Sequence, residues 1–234
     1  SEGEGWSTHS LNPARESTSL ANPSIKWDVQ YRLFSSDLSN GWLIHDTEPP
    51  LDECAPKGNL NLYRRDNTTG DYEALTTAEP TDLPASAGTV YELELQGLSA
   101  DEKHTFIRAN GKLTPDAATK GLNQVYEHIQ DPEGGCGELR LVSVLPNGKP
   151  SPVEASLGTF KGLPGESRES AVSHAVSVDG SLVFWSTAGT ALYLRDMEAG
   201  KTVQVAAGGP RFWRAAADGS RALYSVGGLS LIHI

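Results

Sequence analysis

The chain has 234 residues, with 19 Lys and Arg against 30 Asp and Glu, a net charge of −11 and no basic block. That balance repels phosphate backbones and argues against nucleic-acid binding, and no apolar run approaches the roughly 18 residues a membrane helix needs. With 24 glycines, 14 prolines and enough Leu, Val, Tyr and Trp for a core, the composition suits a turn-rich all-β chain.

Residues 1–11 contain Gly5-Trp6-Ser7-Thr8-His9-Ser10-Leu11, which matches the strand-like runs at Gly70 to Leu75 and Gly200 to Val205. They read as the last strand of a repeat that lies upstream, and the Pro-, Ser- and Asn-rich stretch that follows reads as a loop. The first full repeat, 26–77, offers an inner strand ending in Phe34-Ser35-Ser36-Asp37. Gly41 to His45 follows as a second strand and Leu60 to Asp66 as a third. A turn from Asp66 to Gly70 then leads to a short outer strand, because Asp can bond its own turn backbone and Gly can take positive φ. Asn67-Thr68-Thr69 within it also matches a glycosylation acceptor but reads as turn chemistry. The second repeat, 90–148, has Leu98-Ser99-Ala100-Asp101, Thr105 to Ile107, Gln124 to Tyr126 and Glu138 to Leu145, with an insert at 130–137.

Residues 147–170 read as a loop between repeats. The third repeat, 170–207, is the clearest: Val176-Ser177-Val178-Asp179-Gly180-Ser181 precedes Leu182-Val183-Phe184-Trp185-Ser186. Ala191 to Asp196 and Lys201 to Val205 follow after turn signals. Four short antiparallel strands in about 40 residues are one blade of a β-propeller. A fourth repeat starts in 210–228 with Ala217-Asp218-Gly219-Ser220 and then Ala222 to Ser225. The fold expected is therefore all-β, a partial propeller of three complete blades, one leading outer strand and half of a fourth blade. Blades of this kind bury their faces only against one another.

The motif Ser-x-Asp-Gly-Ser before a Val-Phe strand, followed by Leu192-Tyr193-Leu194-Arg195-Asp196, resembles the TolB-type, WD40-like propeller repeat of bacterial envelope and secreted proteins. Leu139 to Gly148 is similar to a segment of large actinobacterial members of that group. The resemblance implies a secreted or envelope location. It also implies a binding or interaction scaffold whose partner is another protein or an envelope component. The alternative it implies is a propeller that gates a hydrolase domain. Residues 229–234, Leu-Ser-Leu-Ile-His-Ile, resemble a translated sequencing adapter and are expected to be a non-native tail; the alternative is a genuine third strand, since Leu-Ile-His-Ile is plausible strand material.

Catalytic motifs are missing from the sequence. It has no Gly-x-Ser-x-Gly elbow, no His-Glu-x-x-His and no Cys-x-x-Cys, so no catalytic residue, metal ligand or cofactor is assigned. Gly134-Gly135-Cys136-Gly137 precedes a strand rather than a helix and reads as a hairpin loop. Cys54 and Cys136 fall in loops of different repeats; a disulfide between them is one reading, supported by no spacing rule, and two unpaired thiols are the preferred one, since disulfide geometry is restrictive. The recurrent Asp37, Asp101, Asp179 and Asp218 are assigned to turn structure. Counting back five residues from each reaches Arg32, Gln96, His174 and Trp213, with Arg214 beside the last. These vary in chemistry while Phe34, Leu98, Val176 and Ala215 stay apolar. They are the candidate ligand-binding set at the channel mouth, and the preferred reading is a row of solvated strand ends, because loop positions vary freely. Trp42, Trp185 and Trp213 offer rings on which a sugar could stack, or alternatively pack between blades.

Overall fold

The computed structural model describes residues 8, 10–13, 30–46, 48–83, 91–118, 121–159, 174–227 and, for the backbone alone, 229–233. Among these no helix forms, and the strands make four antiparallel sheets. The first holds β1 (Tyr31–Phe34), β2 (Asn40–His45), β3 (Asn61–Asp66) and β4 (Tyr72–Ala74) in chain order. The second holds β5 (Leu93–Leu98), β6 (His104–Ala109), β7 (Gln124–Ile129) and β8 (Glu138–Leu141), again in chain order. In the third, β9 (Ala155–Leu157), β10 (Leu182–Thr187), β11 (Ala191–Asp196) and β12 (Lys201–Ala207) pair in sequence. β13 (Arg211–Ala215), β14 (Ala222–Val226) and β15 (Leu229–His233) make the fourth. This is the all-β, blade-by-blade architecture of a partial propeller.

Sequence and packing repeat in step. In the second strands, Trp42, Phe106 and Phe184 occupy one position and are all fully buried. Each points at the following sheet. Trp42 lies in one core with Leu93 and Leu95, Phe106 in another with Leu157, and Phe184 stacks on Phe212 at 5.5 Å. The next residue along faces the other way and pairs with a tyrosine of the third strand: Leu43 with Tyr63, Ile107 with Tyr126, Trp185 with Tyr193. Period-two alternation thus gives each of these three sheets two apolar faces, as stacking blades require.

The recurrent aspartates cap the first hairpin of each sheet. Asp37 Oδ1 accepts bonds from the Ser35 hydroxyl (2.7 Å) and from Ser39 N–H and hydroxyl (3.0 and 2.8 Å). Asp179 accepts from Ser177 and Ser181 in the same way, and Asp101 from Ser99 and the Lys103 N–H. The leading serine also accepts the backbone N–H five residues on, at Asn40, His104 and Leu182. In the fourth turn Ala216 replaces that serine, and Asp218 keeps only its Ser220 bonds.

The residue after each aspartate has positive φ: Leu38 and Glu102 at 63°, Gly180 at 80°, Gly219 at 70°. That residue is also where the preceding sheet docks. Asn40 Nδ2 donates to Glu102 Oε2 at 2.8 Å; His104 lies against Gly180, and Leu182 against Gly219. A Cβ on Gly180 would sit 2.7 Å from His104 Cγ, so the glycine is needed for space as well as for φ. Backbone bonds from Ala100 N–H to Val178 C=O (2.8 Å) and Val178 N–H to Ala217 C=O (2.7 Å) continue the link from turn to turn.

Four expectations need correction. The third sheet begins at Ala155–Leu157, inside the stretch read as a loop, because its inner strand is interrupted rather than late. The outer strand of the second sheet ends at Leu141, where the regular ladder stops and the Val142 and Ser143 N–H groups both donate to Val125 C=O. The backbone of 229–233 pairs along the whole of β14, so the fourth sheet has three strands where half a blade was expected. Cys54 and Cys136 are not free thiols but a disulfide, with Cα atoms 5.3 Å apart. The leading strand predicted over 1–11 lies largely outside the described residues; Leu11 C=O accepts a bond from Tyr31 Oη at 2.6 Å.

Candidate functional site

The inner strands share one irregularity. Register shifts fall between Tyr31 and Leu33, Leu95 and Gly97, and Phe212 and Arg214, leaving Arg32, Gln96 and Trp213 as the extra residues of three β-bulges. In the third sheet the strand is broken at the same level. Leu157 pairs with Trp185 and Val176 with Val183, while Phe184 accepts from Gly158 N–H and donates to Ala175 C=O, both at 2.8 Å. The chain thus leaves this ladder at Gly158 and rejoins it at Ala175, at the level where the second sheet has Gln96 alone. A bulge is a place where one strand can gain residues without shifting the ladder on either side. The sequence-predicted set Arg32, Gln96, His174 and Trp213 marks this shared level.

Their surroundings differ. Gln96 is 2% exposed; its Oε1 accepts Leu157 N–H at 2.7 Å and its Nε2 faces Ser156 Oγ at 3.3 Å. It is a strut between the second and third sheets. Arg32 is half-buried and partnered. The other three residues gather on the fourth sheet. His174 is exposed, and its C=O accepts Ala215 N–H at 3.0 Å; Thr159 Oγ1 donates to Phe212 C=O at 2.7 Å. The two stems of the 160–173 stretch, itself outside the described residues, thus grip β13 on either side of Trp213 and Arg214.

The bulge also decides which way these side chains face. Phe212 pairs with Tyr224 and both are buried, whereas Arg211 pairs with Ser225 and Arg214 with Leu223 on the opposite face. The extra residue, Trp213, joins that second face, where its Nε1–H donates to Ser225 Oγ at 3.1 Å. Arg211 lies over the indole with its guanidinium carbon 4.6 Å from the ring centroid, a cation–π geometry. Trp213 is 48% exposed, while Trp42 and Trp185 are fully buried and cannot stack on a ligand. Residues 211–227 carry three arginines against one aspartate, a local excess of positive charge in a chain of net −11.

The carboxylates of the repeat are occupied within their own turns. The Ser39 N–H, then the Ser35 and Ser39 hydroxyls, hold Asp37 down at about 2; Ser177, then Ser181, does the same for Asp179, also about 2. Asp101 and Asp218 are lowered as well, chiefly by Ser99 and by the Ser220 N–H. Bonds to the ionised form favour it, so these groups are held as anions in hydrogen-bonded turns. Among the described residues no group of three or more His, Cys, Asp or Glu is arranged to hold a metal ion.

Two polar clusters were not visible in the sequence because their members come from different strands. His104 Nδ1 meets Glu127 Oε1 at 2.7 Å, and Glu127 is 1% exposed, with its pKa raised by burial against the favourable bond to His104. Arg108 joins Glu94 and Glu154, each at 3.1 Å, and donates to Ala155 C=O, tying the second sheet to the start of the third.

No family model and no curated protein matches the chain. Among solved structures it is similar to one from a structural and mechanistic analysis of two prolyl endopeptidases. The two chains are 12% identical with a TM-score of 0.41, over 83% of this chain and 24% of that one. The present chain thus corresponds to about a quarter of that protein's length.

Proposed function

We propose that this chain is a non-enzymatic binding scaffold that engages its partner at the exposed face of the fourth sheet. The observation that carries the reading is the half-exposed Trp213 flanked by Arg211 and Arg214, with His174 at its edge. Guanidiniums beside an indole suit a partner that presents carboxylates next to apolar groups, such as an acidic segment of another protein. The Cys54–Cys136 disulfide supports a secreted or envelope location, since such bonds persist in oxidising compartments.

The test is a fluorescence titration with a peptide of alternating Glu and Leu and with its Lys-for-Glu counterpart. The reading expects saturable binding of the acidic peptide alone, lost in Trp213→Ala and in Arg211→Glu/Arg214→Glu. Equal binding of both peptides, or of neither, contradicts it. A Gly-x-Ser-x-Gly domain encoded in the same gene would replace the scaffold reading with that of a substrate gate for a hydrolase.

A further inference from the structure

The 48–58 segment does more than connect β2 to β3. Leu51, Cys54 and Ala55 pack with Leu43, Tyr63 and Ala74, the face of the first sheet that points away from the second, and Tyr31 and Tyr72 border the same cluster. The corresponding faces of the second, third and fourth sheets are covered by the sheet before them. Here a segment of the sheet's own chain forms part of the cover. Internal bonds shape it: Asp52 Oδ1 accepts Cys54 N–H at 2.8 Å, and Asn61 Nδ2 donates to Pro56 C=O at 2.9 Å.

The covalent hold on this cover is the bond from Cys54 to Cys136, across a sequence separation of 82. Cys136 sits in the exposed 130–137 hairpin of the second sheet, whose base rests on buried His128 through a 3.2 Å contact between Nε2 and Cys136 C=O. The first two sheets do not depend on the disulfide for contact. A separate apolar core of Trp42, Ile44, Leu62, Leu95, Ile107 and Tyr126 joins them, and Arg64 and Glu73 both reach Gln130.

We propose that residues 48–58 are a reducible strap, clasped by Cys54–Cys136, whose release uncovers the Leu43–Tyr63–Ala74 face while the stacked sheets stay folded. Release needs a dithiol. One thiolate attacks the sulfur of Cys136, the more exposed residue of the pair, Cys54 leaves as a thiolate and is protonated, and the reagent's second thiol resolves the mixed disulfide, releasing Cys136. Cys54 and Cys136 end as two thiols and the reagent as its cyclic disulfide. The product exposes an apolar surface of the kind that marks interaction sites.

The test is hydrogen–deuterium exchange on the full chain, oxidised and after dithiothreitol, with free thiols counted in each state. Two new thiols should accompany exchange at least about tenfold faster in 48–58 and 130–137, with β6, β7, β10 and β11 unchanged. Cys54→Ser and Cys136→Ser, each alone, should reproduce the reduced pattern without reductant. Unchanged exchange in 48–58 would show that the strap holds without its clasp and overturn the proposal. Faster exchange throughout the chain would overturn it too, by making the bond a requirement of the fold.

Discussion

The αL residue after each recurrent aspartate carries two constraints at once, and a pair of glycines separates them. Gly180 has φ of 80° and faces His104, whereas Gly148 has φ of 77° and nothing within 4 Å of a built Cβ. Gly148→Ala should therefore cost about 1–2 kcal/mol from backbone strain alone. Gly180→Ala should cost about 2–4 kcal/mol, because the ring of the preceding sheet must also move. Urea unfolding of the two variants checks this, and equal losses would mean that His104 does not bear on the turn. The defective fourth turn offers the converse: Ala216→Ser restores the missing donor to Asp218 and an acceptor for Arg221 N–H. A gain of about 0.5–1.5 kcal/mol is expected in the same assay.

The turn carboxylates set an acid limit whose sign follows from their shifts. Asp37 and Asp179 fall from 3.8 to about 2, so the folded state holds these protons more weakly than the unfolded chain. Their contribution is complete above about pH 4 and is lost as pH falls towards 2. The stability of Asp179→Asn should accordingly depend less steeply on pH across that window than that of the parent. Identical slopes would assign the acid sensitivity to other groups. These aspartates were legible in the sequence because their bonds are local: donor and acceptor lie two residues apart, so spacing alone reveals the motif.

At the scale of strands, the sequence marks the position of the inner-strand bulge but not its use. Counting back from the aspartates reaches Arg32, Gln96 and Trp213, which are the bulged residues themselves. What each does depends on the neighbouring sheet, which one repeat cannot reveal. Gln96 accepts the Leu157 N–H of the next sheet, and the strand holding Leu157 was hidden because the 158–174 stretch splits it from its other half. Gln96→Ala would leave that N–H unpaired in a buried setting, at a cost of about 1–3 kcal/mol. A Gln96 variant of unchanged stability would favour a ligand role over that of a strut. The disulfide was illegible for a related reason: Cys54 and Cys136 belong to loops of different sheets, and only the stacking of those sheets brings their Cα atoms to 5.3 Å.

At the scale of the whole molecule, the four sheets form a series joined by one contact scheme used repeatedly. An aromatic of each second strand enters the next sheet, the first residue of that strand docks on the next αL turn, and the turns bond to one another. A chain so built depends on its neighbour contacts rather than on one central core. The lip of the fourth sheet follows the same register, yet it carries Arg211, Trp213 and Arg214 on an exposed face.

The turn-to-turn bonds give the most direct test of this scheme, because Ala100 and Val178 are exposed residues whose N–H groups are nevertheless bonded to the adjacent sheet. Amide exchange measured residue by residue in the oxidised protein should protect both as strongly as strand amides such as Ile107 and Leu194. Exchange at the rate of free turn amides, with those strand amides still protected, would mean that the sheets fold but do not join in the register described.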